Sequence, residues 1–378
     1  MTKIKIIILA LGFSFFAAIR LLIFYNIPIQ GVNLGSPFIT DLIGKAYSLP
    51  YWIIILSDVF NLMLLWLIGE KLFDKKTGFL LPFIYAISPW PAYLAIGGSI
   101  YIFILFGVLL FYYGQVLMKA RTSFSGVGLS LLGIAVMVYS SFSMLLVVPF
   151  FLWGIYKSGF SARDKKILFL TTALVLIPII FLSILNRNSF KMVAIKEISL
   201  FNEVGLINSV NTFRGETGEA GYPYLGLFIE NKITYFGRHV LFNTLITFSP
   251  FTYFTQQFRL LGFSFSPPIF IGLLIPFLYG LVRMPIWKSA KSYLLMITLP
   301  LLIPTIIHTY SPDLNSLILI LPILIFISAW GMGELVRNKK WPFVAIATVF
   351  IFLQGLTTLY DIKTREPIRY QKMIQISQ

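Results

Sequence analysis

The chain of 378 residues is 58% hydrophobic and only 12% charged, with a mean hydropathy of +0.86, whereas soluble domains carry about a quarter charged residues. It holds 30 basic against 14 acidic residues, two histidines and no cysteine, which excludes disulfides, haem attachment and thiolate-ligated metals and speaks against a His-built metal site. Its aromatics, 17% of residues, suit lipid-facing surfaces and interfacial belts better than a stacking platform for bases, so no nucleic-acid partner is expected.

The opening "MTKIKIIILALGFSFFAAIRLLIF" is basic and then apolar, like a signal peptide. Arg20 interrupts the run and no small-residue cleavage pattern follows, so residues 4–24 are read as a retained first span. Residues 25–50, "YNIPIQGVNLGSPFITDLIGKAYSLP", carry turn-forming Pro, Gly and Asn and then a short interfacial helix. Asp41 is the one acid there. It suits an exposed loop acid, an N-cap for a helix beginning "DLIGKAY", or a general base.

Apolar stretches follow at 51–69, 79–97, 100–118, 124–139, 142–156 and 167–186. Residues 77–118 run for 42 positions without Asp, Glu, Lys or Arg, room for two crossings of about 20 residues each. Asp58 lies about two turns into the span that starts at 51, on the same helical face as Asn61. A charge in lipid is costly, so it is a functional suspect, or else a structural partner of Arg20. Arg20 can equally bind a lipid phosphate. In "FIYAISPWPAYLAIGGSIYIF", Pro89 and Pro91 are expected to bend or end the third span, with Trp90 at the interface and Gly97-Gly98 in a tight outer turn.

The next outer segment, 187–259, holds Glu197, Glu203, Glu216, Glu219 and Glu230, five of the 14 acids. Its "NTFRGETGEAGYPYLG", 211–226, reads as a glycine-rich loop that is either solvated or folds over an acceptor or a divalent cation, although it fits no calcium-loop spacing. "HVLFNTLITFSPFTYFTQQF" is uncharged but broken by Ser249-Pro250, and is read as a helix in the outer interface. Lys232, Arg238, His239 and Arg259 flank it at headgroup height, where they either bind a phosphate or pyrophosphate donor or attract anionic lipid. The last spans fall at 267–282, 292–309, 316–333 and 341–360, and His308 and Asp313 bracket a short outer turn.

About eleven spans result. Placing the N-terminus in the cytoplasm puts 17 lysines and arginines of the short loops inside and only Lys45 in the short outer connections, as the positive-inside rule requires. The C-terminus then lies outside. The expected organisation is an all-α polytopic membrane protein: one transmembrane domain over 1–360, an external cap from loops 25–50 and 187–266, and a short extracytoplasmic tail at 361–378.

Three segments resemble the glycosyltransferases of the C superfamily, relatives of protein mannosyltransferases and aminoarabinose transferases. They are "GEKLFDKKTGFLLPFIYAISPWPAYLAIGG" (69–98), "ITFSPFTYFTQQFRLLGFSFSPPIFIGLLIPFLYGLV" (246–282) and "SPDLNSLILILPILIFISAWGMGEL" (311–335). The resemblance implies an enzyme of the cell envelope, in a prokaryotic cytoplasmic membrane, that transfers a sugar from a polyprenyl-phosphate carrier, with inversion, to a glycan, lipid or protein acceptor on the outer face. It implies a carboxylate in the first outer loop as base, here Asp41, standing where relatives have an Asp-Glu pair. Arg20, Asp58, Glu216, Glu219, Lys232, Arg238, His239 and Arg259 are the candidates for substrate contact. No metal ligands are identified, and a divalent cation is the one cofactor left open besides the lipid-linked donor. The alternatives are a homologue without catalysis that serves as a structural or lipid-binding subunit among other membrane proteins, and a lipid or solute transporter, which would need charged residues at mid-depth.

Overall fold

The protein is seen in a computed structural model that describes residues 37–39, 49–73, 75–119, 123–157, 160–197, 204–222, 224, 231–255, 258–260, 263–265, 269–283, 299–307 and 314–364. The first predicted span, Arg20 and Asp41 lie outside these residues, as does half of the span expected at 292–309.

The described chain is helical, as its uninterrupted apolar runs require: in lipid only a helix satisfies every backbone group within one segment. In chain order the first helices are α1 (Tyr51–Leu72), α2 (Lys75–Ile87), α3 (Pro89–Ile96), α4 (Ile100–Lys119) and α5 (Ser123–Ser140). A 3₁₀ turn at Phe142–Leu146 leads into α6 (Val148–Lys157), α7 (Ala162–Leu185), α8 (Arg187–Glu197) and α9 (Val204–Glu219). Then come α10 (Lys232–Phe248), α11 (Pro250–Phe254) and a small antiparallel ladder of β1 (Phe258–Leu260) with β2 (Phe263–Phe265), in which Arg259 faces Ser264 in register. The chain closes with α12 (Leu274–Arg283), α13 (Ile303–Ile306), α14 (Leu314–Leu317), α15 (Leu321–Arg337) and α16 (Trp341–Thr364).

Among the described residues, five helical stretches are long and apolar enough to cross a membrane, over Tyr51–Leu72, Ile100–Lys119, Ala162–Leu185, Asn315–Arg337 and Trp341–Tyr360. The pair Gly78–Ile87 and Pro89–Ile96, bent by 56°, makes a sixth if counted as one broken span. The stretches expected at 124–139, 142–156 and 267–282 form shorter apolar helices. Their shortness has local causes: Pro149 lies at the second position of α6 and the 3₁₀ turn precedes it, and α12 starts only after a second 3₁₀ turn at Ile271–Leu273.

Small residues let the helices approach closely, which is how helices associate where lipid removes the hydrophobic drive. A Cβ on Gly107 would meet the Gly133 carbonyl, and one on Gly114 would meet Ser130 and the Gly126 carbonyl, so α4 and α5 touch backbone to backbone. The same holds for α12 and α15 through Gly280 and Gly331, and for α1 and α2 through Gly69 and Gly78. Around these contacts α1, α2, α4 and α15 bury Ile54, Leu65, Leu81, Tyr85, Leu105, Leu109, Phe111 and Leu324. In contrast α7 and α16 leave most of their apolar side chains on the protein surface, Ile184 and Phe352 among them, as lipid-facing helices do.

One end of the bundle gathers Gly97–Ser99, Ser140–Ser143, Asn186–Arg187, Ile303–Ile307 and Leu314–Ser316. There Ser99 Oγ donates to Asn315 Oδ1 (3.3 Å), the Thr305 and Ser316 hydroxyls bond at 2.8 Å, and Asn243 Nδ2 donates to the Ile306 carbonyl (3.0 Å). Phe38 packs its ring on Phe142 and Phe190, at centroid distances of 5.7 and 6.5 Å, which ties the segment before α1 to this end. Helix alternation puts the basic ends at the opposite side. Lys165 Nζ donates to the Tyr156 carbonyl (2.8 Å), Arg337 pairs with Glu334 (2.7 Å), and Phe73 packs on Trp330.

Candidate functional site

The Ser88-Pro-Trp-Pro segment makes the bend between α2 and α3. Pro89 takes the first helical position, where its missing N–H costs nothing, and Ser88 Oγ donates back to the Ile84 carbonyl (2.7 Å). The tight turn that ends α3 uses Gly98 at φ +67°, and Ser99 N–H reaches the Leu94 carbonyl (2.9 Å). Trp90 corrects the interfacial expectation: it is fully buried, 6.2 Å ring to ring from Tyr253 of α11. The reason is the bend, which turns the whole of α3 into the protein, so that all eight of its residues are buried.

Tyr253 is fixed by its own surroundings. Its hydroxyl donates to the Thr247 carbonyl (2.5 Å) and Thr252 Oγ1 donates to the Ile246 carbonyl (2.7 Å). Together they satisfy carbonyls left open where Ser249-Pro250 breaks the helix. Burial pushes the Tyr253 phenol up, which keeps it a neutral donor.

Beside Tyr253 lies an apolar cavity of about 250 Å³. Thr247, Phe248, Pro250 and Tyr253 form one wall; Phe277 and Leu281 of α12, Leu299 and Leu302, and Ile320, Ile323, Leu324 and Ile327 form the others. Phe248 and Leu299 are exposed on the protein surface, so the cavity opens beside side chains of the kind that face lipid. All the residues around it but Leu299 and Leu302 come from the second and third segments that resemble the glycosyltransferases, and Trp90 of the first packs behind Tyr253. Sequence reasoning missed this cavity, because its lining is apolar and looks like any other span.

The predicted site residues fall in several places. Asp58 is enclosed, 1% exposed, where it accepts a hydrogen bond from Tyr85 (2.5 Å). Asn61, its neighbour one turn on, is fully buried and donates to the Ile102 carbonyl (3.2 Å). Tyr85 was not singled out from the sequence, although a tyrosine in the next span at matching depth was a signal for a partner to the buried carboxyl. Glu216 and Glu219 are exposed on α9. Here the structure overturns the glycine-rich loop expected over 211–226: residues through Glu219 are helical, and Gly221 at φ +87° ends the helix, with Tyr222 N–H reaching the Thr217 carbonyl (3.0 Å). Gly215 and Gly218 sit on the helix surface with open space beside them, so the glycines that suggested a loop are tolerated rather than required.

Lys232 opens α10, behind an Asn231–Thr234 capping box in which Asn231 Oδ1 accepts from Ile233 N (2.9 Å) and Thr234 N (3.0 Å). Arg238 is exposed on the same helix and the His239 ring stands 4.4 Å from that of Tyr235. Arg259 is in β1. The structure therefore brings Lys232, Arg238 and His239 onto one helix, and that helix ends at Thr247 and Phe248 in the cavity wall. The same helix exposes Ile233, Leu241, Phe242 and Leu245 while it buries Asn243 and Thr247, an arrangement suited to a lipid environment. Among the described residues, no three His, Cys, Asp or Glu side chains group so as to hold a metal ion.

A comparison with protein families finds no match, and one with curated proteins finds none either. Solved structures of an archaeal oligosaccharyltransferase, AglB from Archaeoglobus fulgidus, are similar in fold. One, in complex with an inhibitory peptide and a dolichol-phosphate, has 12% identity and a TM-score of 0.46, with 95% of this chain and 56% of that chain covered. The apo form has 15% identity and a TM-score of 0.46, covering 94% and 52%. A complex with Zn and sulfate has 14% identity and a TM-score of 0.44, covering 89% and 44%. This chain thus spans about half the length of the structures it matches.

Proposed function

We propose that the chain is a membrane glycosyltransferase-like protein that takes a sugar from a polyprenyl-phosphate donor and passes it to an acceptor on the extracytoplasmic face. The observation that carries this reading is the convergence of the three resembling segments on one apolar cavity beside Trp90 and Tyr253, with the basic helix α10 leading into its wall. In this scheme Asp41 takes the proton from the acceptor hydroxyl as it attacks. Arg20, Lys232, Arg238, His239 and Arg259 offset the charge that grows on the departing phosphate. The organisation proposed with it is one membrane domain with an outer cap, the N-terminus in the cytoplasm and about eleven spans in all.

A second reading, a homologue that binds lipid without catalysis, is favoured by two particulars: a lone Asp41 where relatives have an acid pair, and an Asp58 already engaged by Tyr85. The deciding experiment reconstitutes the purified protein in vesicles with labelled polyprenyl-phosphate sugars and compares wild type with Asp41→Asn. Transfer that is lost in the variant is the expected result. Absence of transfer across a broad donor panel, with lipid still bound, would replace the enzyme by the lipid-binding subunit.

A further inference from the structure

The segment before α1 enters the core of the bundle through Phe38. This side chain is 1% exposed, while its sequence neighbours Pro37 and Ile39 are half-buried. Its ring packs on Phe142 at 5.7 Å between centroids and on the edge of Phe190 at 6.5 Å, and those two rings stand edge to face at 5.3 Å. All three pairs fall within the separations of about 4.5–7 Å at which aromatic rings attract one another.

The platform under Phe38 holds its shape without it. Phe142 belongs to the 3₁₀ turn after α5, where Met144 N–H reaches the Ser141 carbonyl (3.2 Å) and the buried Ser141 and Ser143 hydroxyls bond at 2.7 Å. Phe190 lies in the first turn of α8. Its N–H reaches the Asn186 carbonyl (2.9 Å), and Asn186 N–H reaches the Leu182 carbonyl of α7 (2.8 Å). Two of the rings are thus carried by the ends of α5 and α7, and the third arrives on a separate stretch of chain. That stretch is held again where it enters α1, since the Tyr51 hydroxyl donates to the Ile96 carbonyl at the end of α3 (3.2 Å). Asp41 lies between the two anchors in the sequence, three residues past Phe38, and three residues of extended chain reach at most about 11 Å.

We propose that Phe38, seated on Phe142 and Phe190, is the clip that docks the first loop of the cap to the second, and that it is a positioning residue for Asp41. The part played by Asp41 rests on the transferase reading above; the docking does not.

The test uses spin labels. Because the chain has no cysteine, Asp41→Cys together with Asn188→Cys, the latter exposed in the first turn of α8, labels the full chain in nanodiscs at two chosen places. Electron–electron distance measurements should give one narrow separation. Phe38→Ala should turn it into a broad distribution, and Phe142→Ala, acting from the other side of the contact, should do the same at unchanged helical circular dichroism. Phe38→Leu, which keeps most of the apolar bulk, should keep the separation narrow. With Asp41 in place, Phe38→Ala should lower kcat for sugar transfer about tenfold to a hundredfold at unchanged KM for the donor, since a misplacement of about 1 Å can cost about 10²-fold, and Phe38→Leu should recover it. A separation that stays narrow in both alanine variants, or full kcat in Phe38→Ala, would overturn the proposal. Broadening in a protein that transfers no sugar from any donor would sink the enzyme and leave the docking standing.

Discussion

Replacing Tyr85 by Phe removes one oxygen from the core and changes nothing else in the shape of the side chain. The wild-type hydroxyl donates to Asp58 at 2.5 Å, and both residues are at most 1% exposed, so no water is on hand to take its place. A hydrogen bond of this kind is worth about 1 kcal/mol between neutral groups and about 1.5–3 when one partner is charged, and the stranded carboxyl oxygen adds its own desolvation penalty. We expect Tyr85→Phe to cost about 2 kcal/mol, and Asp58→Leu at least as much because Tyr85 is then left without its acceptor. Asp58→Asn should cost less, since the amide oxygen still accepts. The assay is reversible unfolding in mixed micelles followed by circular dichroism, run as a double-mutant cycle with a coupling of about 0.5–3 kcal/mol expected for residues in contact. A Tyr85→Phe protein within about 0.5 kcal/mol of wild type, the range of a neutral surface change, would refute the view that this bond holds α1 to α2.

Other outcomes follow from the glycine contacts. Gly331→Ala drives a methyl into the Pro276 carbonyl, so a loss of about 2 kcal/mol or more is expected, as overpacking commonly costs about 1–3, measured by the same unfolding. Gly114→Ala should likewise loosen α4 from α5, whereas Gly128→Ala, with nothing near it, should stabilise by about 0.5–1 kcal/mol through helix propensity. If α9 is helical as described, Gly215→Ala and Gly218→Ala each raise the thermal midpoint and Gly221→Ala lowers it, because its φ of +87° disfavours a side chain. Equal responses from all three would restore the glycine-rich loop.

Much of the fold was readable because lipid imposes a simple rule on composition. The runs at 51–69, 100–118, 167–186, 316–333 and 341–360 each became a long helix, and the two prolines around Trp90 and the Ser249-Pro250 break did what proline does to a helix. Depth and direction were harder to read. Asp58 and Asn61 were placed on one inward face by their spacing, but the partner Tyr85 lies in another helix, and no local pattern announces a cross-helix hydrogen bond. Trp90 was sent to the interface by the habit of its residue type, which the 56° bend overrode. Residues 211–219 were misread because glycine favours loops on average, while the average says little where neighbours such as Thr217 and Glu219 can carry a helix to a proper Gly221 ending. The cavity was invisible for a different reason: an empty space is a property of packing and not of any one residue.

The broken span also trades length for width. With 13 residues in α2 and eight in α3, inclined at 56°, the pair reaches about 26 Å along the axis of α2, against about 30 Å for the 20 residues of α4. The hydrocarbon of a bilayer is itself about 30 Å thick. Gly97–Ser99 lead straight into the full-length α4, so the bend lays the eight residues of α3 more across the bundle than along it. An apolar segment laid across the bundle in this way gives Tyr253, just after the break at Ser249-Pro250, a fixed wall to pack on through Trp90.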